Sequence, residues 1–347
     1  MHTLLSTLIS IPAVSRDEAQ KVDALESFLR EKGLAPQREA NNIWCVGKKF
    51  LANRPTVLLN AHLDTVKPVS GWQRPPHEPT LEGDRLYGLG TNDCGGGLVS
   101  LLFAFMHLNG IDEGQLPYNL VYLASAEEEV SGRNGVERAL PLLPPIDVAI
   151  VGEPTGMHPA IAEKGLMVLD CTAHGVSGHA ARNEGVNAIY QALPDIEWLR
   201  NYQFEKVSPL LGPVKLSVTQ INAGTQHNVV PDTCTFVVDV RTNECYSNQQ
   251  VLDEITAYLS ADVKARSTRL NSSSIPEAHP LIQRCIALGG TPYGSPTLSD
   301  QALMNFPSFK LGPGESARSH TADEYICLSE LEHALKFYIA LLSGAEV

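Results

Sequence analysis

Positive charge is scarce in this sequence. Its 26 Lys and Arg stand against 39 Asp and Glu, a formal net charge of -13 over 347 residues. Binding a phosphate backbone needs concentrated Lys and Arg, so nucleic acid is not an expected partner. A small anionic substrate remains compatible, because it meets only the local field. Long apolar runs are also missing: no stretch of about 18 apolar residues occurs, so no membrane span is expected. The opening segment from Met1 to Pro12 lacks a basic start followed by a long apolar core, which argues against a secretory leader. The seven cysteines (Cys45, Cys94, Cys171, Cys234, Cys245, Cys285 and Cys327) are odd in number and include no CxxC pair. Reduced thiols in a cytoplasmic protein are therefore expected. No internal repeat is evident. With 43% hydrophobic and 19% charged residues, the composition suits neither a disordered chain nor a coiled coil. The length suggests a large domain with a smaller one.

Hydrophobic patterning divides the chain. Residues 15–31 read as a helix, with Asp17 and Glu18 at its start, an apolar face of Val22, Leu25, Phe28 and Leu29, and Gly33 as its stop. Residues 56–60, 120–124 and 148–151 are dense apolar strands, and residues 98–108 an apolar helix after three glycines. Continuous apolar strands separated by helices predict a largely parallel sheet covered on both faces, an α/β domain. From Gly165 the order changes to strand 166–173, helix 184–200, strands 214–221 and 233–241, helix 248–259 and strand 263–269. That order is β-α-β-β-α-β, the split βαβ or ferredoxin-like unit of an α+β domain. The polar stretch at 271–274 then reads as a linker, and residues 280–289 and 328–342 as helices. Residues 1–164 and 272–347 are thus expected to form one domain, interrupted by a domain at 165–271.

Histidines and carboxylates gather where the apolar strands stop. In "AHLDT", His62 and Asp64 point the same way in an extended segment. A metal-bound imidazole commonly gives its other N–H to a carboxylate, and a polar loop with a hydrogen-bonded His is the alternative. In "GLGTNDCGGG", Asp93 is either a helix cap or a metal ligand. A nucleotide loop is the weaker third choice, because no GxGxxG and no Lys-Ser/Thr completes one. Glu127, Glu128 and Glu129 follow another strand; adjacent carboxylates repel unless solvent or cations relieve them. Glu153 in "VGEPT" and His320 in "SARSHTADEY" could each be a solvated turn residue or a ligand. Ligands beyond the carboxyl ends of strands suit an open α/β sheet. An oxygen and imidazole set suits Zn²⁺, with Mn²⁺ or Co²⁺ as close substitutes.

These motifs, in this order, resemble the ArgE/DapE/carboxypeptidase G2 metallopeptidases, the M20 family, over nearly the whole chain. The short acetylornithine deacetylase-like branch is the most similar. The resemblance implies a metal-binding catalytic domain with an inserted dimerisation or lid domain. It implies two Zn²⁺ bridged by Asp93, with His62 and Glu153 completing one site and Glu129 and His320 the other. Asp64 would orient His62, and Glu128 would be the general base. The family's usual Thr-Ala-Asp-Glu-Glu places Glu127 on the Asp and leaves Glu128 and Glu129 as the working pair. "HGVSGHAARNEGVNAI" resembles a family segment whose His, here His179, reaches a neighbouring subunit's site. Asn228 in "HNVVP" and Arg241 in "VDVRT" resemble substrate-binding residues, and guanidinium matches a substrate carboxylate in two-pronged geometry. Gly312 and Gly314 in "LGPG" resemble the substrate-side loop before the last metal His. Many members carry Lys in an Asp-x-Lys-Gly stretch; here the residues are Asp93-Cys94-Gly95-Gly96. Cys94 is a further, softer candidate ligand.

The implied reaction is hydrolysis of the amide of an N-acyl amino acid by metal-activated water, with N-acetyl-L-ornithine giving acetate and L-ornithine. N-acetylcitrulline, N-succinyl-diaminopimelate and small peptides are rival substrates. A non-catalytic binding protein on the same fold is the alternative of another class. A homodimer through the inserted domain is the expected assembly.

Overall fold

The computed structural model describes residues 1–110 and 116–345. The chain forms two compact units. One comprises Met1–Ile161, Ser274–Tyr293 and Ser299–Val347; the other comprises Ala162–Ser273 with Gly294–Leu298. The second unit thus joins one continuous stretch of chain to a short segment from further along it.

The first unit is built on a mixed sheet. Strands Asn119–Ser125, Thr56–His62, Val148–Val151 and Ser308–Lys310 lie side by side and parallel. Asn42–Val46 runs antiparallel on the outer side of Asn119–Ser125. Every residue of Thr56–His62 and Asn119–Ser125 is buried, which is why these strands are apolar without alternation. The pleat sends Val57, Leu59 and Ala61 into the larger core and Leu58 into a smaller one with Trp44, Val121 and Val151. Helices His2–Ile9, Ala19–Glu31, Gly96–Asn109 and Leu328–Leu342 cover the larger core. Gly96–Asn109 is apolar almost all round because it is buried almost all round. A Cβ on its Gly97 would lie 1.7 Å from the Gly152 carbonyl oxygen, so only glycine lets this helix meet the strand end.

The second unit holds a four-stranded antiparallel sheet in the order Lys215–Ala223, Thr233–Thr242, Gly165–His174, Asp262–Ala265. Its two central strands alternate. Met167, Leu169, Cys171 and Ala173 face the core with Cys234, Phe236, Val238 and Val240. Helices Ala188–Asn201 and Asn248–Tyr258 supply the rest of that core. Ser247 and Gln250 start the latter with a reciprocal capping box.

The structure moves some boundaries. The helix read from residue 15 starts at Ala19, because Ser15 and Glu18 use their side chains elsewhere. Ser15 Oγ donates to Asp64 Oδ2 at 2.6 Å, and Glu18 Oε1 accepts the Arg16 N–H at 2.7 Å, with Arg16 at φ 79°. The helix read from residue 184 starts after Asn187, whose side chain caps the Ile189 N–H. The helix His2–Ile9 was not anticipated, although Leu4, Leu5, Leu8 and Ile9 mark its buried face. All seven cysteines are free thiols. Among the described residues, no helix is long and apolar enough to cross a membrane.

Candidate metal centre

The three long parallel strands end on one edge of the sheet, in register from His62 to Ser125 and from Asn60 to Val151. His62 is the last residue of its strand, Glu127–Glu129 follow the second and Glu153 the third. Parallel pairing therefore delivers residues far apart in sequence to one place.

The His62 ring is buried, with Nδ1 2.9 Å from the Asp64 carbonyl oxygen. A carbonyl only accepts, so Nδ1 carries the proton and Nε2 presents its lone pair. That Nε2 lies 3.1 Å from Asp93 Oδ1, 3.8 Å from Glu153 Oε1 and 4.0 Å from Glu128 Oε2. In neutral His62 the Nε2 lone pair thus faces carboxylate oxygens, an arrangement that needs a proton or a metal ion between them. Burial by itself would lower the His62 pKa, but Asp64 and Asp93 hold it well above its ordinary value. Cys94 adds no charge at neutral pH, since burial pushes its own thiol up to about 12.

Asp93 stands between two imidazoles: Oδ1 faces His62, and Oδ2 lies 3.5 Å from His320 Nε2. Its peptide bond to Cys94 is cis. His320 Nε2 is also 2.9 Å from Glu129 Oε2, and that contact raises the imidazole to about 9 against a smaller opposing effect of burial. Burial, then Asp93, pushes Glu153 up to about 8. Burial, with Glu153 and Asp300 adding to it and His62 opposing, raises Glu128 well above the carboxylate range. Four carboxylates thus converge with two imidazoles, and each raises the cost of ionising its neighbours. That donor set fits divalent cations bound by nitrogen and oxygen. Ligand atoms of His62, Asp93 and Glu129 lie within 4.8 Å of one another, as do those of His62, Cys94 and Glu153. The two clusters share His62 and correspond to a dinuclear arrangement.

The backbone around these side chains is gripped by buried carboxylates. Asp64 was expected to orient His62 through its side chain, but the carbonyl does most of this; Oδ1 is 3.5 Å from Nδ1. The Asp64 carboxylate instead accepts the N–H groups of Glu128 (3.0 Å) and Glu129 (3.1 Å). Glu127, at φ 53°, gives its N–H to Glu18, and its own carboxylate accepts from Asn134 Nδ2 at 3.1 Å. Glu127 is thereby engaged with Asn134, while Glu128 and Glu129 lie near the imidazoles.

Sequence reasoning missed several members of this support. Glu324 accepts the N–H groups of Asn92 (2.8 Å) and Asp93 (3.0 Å), and burial pushes its carboxyl up to about 7. Asp300 accepts from Asn60 Nδ2 at 3.0 Å and Ser125 Oγ at 2.5 Å beneath the strand ends. A buried Asn inside an apolar strand was the available signal for that network.

Gly312 was expected on the substrate side. The structure packs it against backbone: its added Cβ would lie 2.4 Å from the Glu153 carbonyl oxygen. Gly314, at φ 82°, sits against Asn92. Gly95 lines a small cavity that Lys21 lines as well. His179, Asn228 and Arg241 belong to the second unit. His179 is exposed and pairs with Val229 in a two-residue strand, and its Nδ1 accepts the Ala181 N–H at 3.1 Å. Asn228 accepts the Ala180 N–H through its carbonyl. Arg241 already holds a carboxylate: Nε is 2.9 Å from Asp239 Oδ1, and a terminal nitrogen 3.2 Å from Oδ2.

The model of Peptidase family M20/M25/M40 matches residues 58–344. Acetylornithine deacetylase of Proteus mirabilis is 28% identical, with 95% of this chain and 92% of that protein covered. Succinyl-diaminopimelate desuccinylase of Corynebacterium glutamicum is 27% identical, with 92% and 90% covered. Among solved structures, aminopeptidase PepT from Bacillus cereus has a TM-score of 0.80 at 18% identity, covering 99% of this chain and 97% of that one.

Proposed function

From a chain that belongs to peptidase family M20/M25/M40 and is a metal-dependent amidohydrolase, we propose an N-acyl-amino-acid deacylase that converts N-acetyl-L-ornithine to acetate and L-ornithine. The observation that carries this reading is the row of His62 Nε2, the Asp93 carboxylate and His320 Nε2, flanked by Glu129 and Glu153, with Glu128 beside it.

In this reading, His62, Asp93, Glu129, Glu153 and His320 would hold two metal ions. Zinc is the first choice, and cobalt or manganese suits the same ligands. When bound, the metals supply Lewis acidity that acidifies a water and polarises the acyl carbonyl. Glu128 takes the proton from that water. Its carboxylate lies beside the row of candidate ligands, with Oε2 4.0 Å from His62 Nε2. The water oxygen adds to the acyl carbon, the carbon–nitrogen bond breaks, and Glu128 returns the proton to the leaving amine. His179 accepts a backbone N–H at Nδ1, so its Nε2 carries hydrogen and can donate to the developing oxyanion. Arg241, aligned by Asp239, binds the substrate carboxylate, with Asn228 assisting. Gly312 and Gly314 shape the loop before His320. The inserted unit, whose strand order supports a ferredoxin-like reading, carries His179 and pairs two copies in a cytoplasmic homodimer.

The same site would act on N-acetylcitrulline. The Corynebacterium relative favours a second reading, desuccinylation of N-succinyl-diaminopimelate. Purified protein loaded with Zn²⁺ or Co²⁺ should be assayed against these three substrates and a set of di- and tripeptides. The expected result is the highest kcat/KM on N-acetyl-L-ornithine. A higher value on the succinyl substrate or a peptide overturns the assignment within the class. Bound metal without hydrolysis of any of them overturns the class.

A further inference from the structure

We propose that Lys21 is a positioning residue for the reaction: its buried ammonium holds the Leu63 carbonyl at the strand end between His62 and Asp64, beside the Asp64 carboxylate that grips the backbone of Glu128 and Glu129. The proposal rests on reading these segments as metal-holding.

Lys21 lies in the first turn of the Ala19–Glu31 helix and is only 4% exposed. Its Nζ donates to the carbonyl oxygen of Leu63, between His62 and Asp64, at 3.2 Å. It lines a small cavity together with His62, Asp64, Asp93 and Gly95. The carboxylates whose charge it feels are, in order, Asp64, Glu324 and Glu18. Each grips main chain near the site. Asp64 takes the N–H groups of Glu128 and Glu129, Glu324 those of Asn92 and Asp93, and Glu18 that of Glu127. The ammonium thus anchors the strand end at Leu63, next to the Asp64 carboxylate that fixes the segment bearing Glu128 and Glu129. Without it, the Leu63 carbonyl loses its donor and the buried Asp64 carboxylate loses a nearby positive charge, so its hold on the Glu128 and Glu129 N–H groups weakens.

The cation has to reach this place from the helix. A side chain at position 95 is blocked, because its Cβ would lie 2.4 Å from the Gly90 carbonyl oxygen and 2.7 Å from Leu5 Cδ1. The charge is also held against the interest of the fold. Burial lowers the ammonium to about 8 despite its three anionic neighbours. A methionine of similar length would fill the space without desolvating a charge.

The test compares Lys21→Met with the unaltered full-length protein and with Leu8→Ala, which trims an apolar wall of the same cavity. Zinc affinity is read by chelator competition, geometry by the Co²⁺ absorption bands, turnover by kcat and KM on the best substrate, and stability by thermal melting. Lys21→Met is expected to lose about 10- to 100-fold in zinc affinity and in kcat, with KM within about twofold. Its Co²⁺ bands shift, and its melting temperature does not fall. Leu8→Ala is expected to melt lower while keeping metal affinity and kcat per folded molecule. Zinc affinity and kcat of Lys21→Met within about twofold of the unaltered protein overturn the proposal, as does a loss no larger than that of Leu8→Ala. If Lys21→Met does not fold, Lys21→Arg and Lys21→Gln make the comparison. The proposal requires the Arg variant to bind zinc about tenfold more tightly than the Gln variant, and equal affinities overturn it. Metal binding by the unaltered protein separately tests the site, so failure of the site and failure of Lys21 are told apart.

Discussion

Among the single residues, Asp64 has two tasks at once. Its carbonyl fixes the proton of His62, and its carboxylate ties down the turn that carries Glu128 and Glu129. Asp64→Asn keeps the size but turns one acceptor into a donor facing a backbone N–H. Denaturant unfolding is expected to show a loss of about 1–3 kcal/mol, because a buried N–H is left unpaired. The three adjacent glutamates give a second test at this scale. Glu128→Ala is expected to cut kcat by about 100- to 10,000-fold while a metal titration is unchanged. Glu127→Gln should leave kcat nearly intact, since that carboxylate is spent on Asn134. Equal losses in the two variants would place the base wrongly. His62, Glu127 to Glu129 and Glu153 were legible in the sequence because they follow apolar runs, whereas Asp93 follows a glycine turn and His320 a polar stretch. Glu324 and Glu18 were not legible. They act on the N–H groups of Asp93 and Glu127, which are 231 and 109 positions away, and no local pattern announces such a contact.

At the scale of elements, the strands were the most legible part. A strand buried on both faces has to be apolar at successive positions, as Thr56–His62 and Asn119–Ser125 are. Helix starts were less legible. Ser15, Asp17 and Glu18 look like an N-terminal acidic turn, yet Ser15 and Glu18 are committed to Asp64 and to backbone N–H groups, and the helix waits until Ala19. The Gly96–Asn109 helix depends on its close approach to the strand end at Gly152. Gly97→Ala is therefore expected to destabilise the protein by about 1–3 kcal/mol or more, although alanine normally favours a helix. Chemical denaturation checks it; a variant as stable as the parent would mean that the helix and the strand end are further apart.

For the molecule as a whole, stability should respond to metal and to pH in ways that can be measured together. Ligands that bind only the folded chain stabilise it by about 2.7 kcal/mol at a hundredfold excess over Kd. Chelation is therefore expected to lower the melting temperature, and added Zn²⁺ to restore it. In the metal-free protein, Lys21 sets a pH signature. Its folded value of about 8 lies below the ordinary 10.5. Between those values the unfolded chain keeps a proton that the folded chain gives up, so stability rises with pH across this window, and the penalty is in full force below it. The shift corresponds to about 3 kcal/mol. Any stability advantage of Lys21→Met at pH 7 is expected to shrink as the pH approaches 10.5; a difference that stays constant with pH would contradict a buried ammonium. The order of the site along the chain has a consequence of its own. His62, Asp93, Glu129 and Glu153 precede the second unit, whereas His320 and Glu324 follow it. A nascent chain emerging from the ribosome therefore exposes four candidate metal-ligating side chains through the whole synthesis of the second unit, with Asp93 not yet held by Glu324. Metal loading at both candidate positions becomes possible only after His320 has been synthesised.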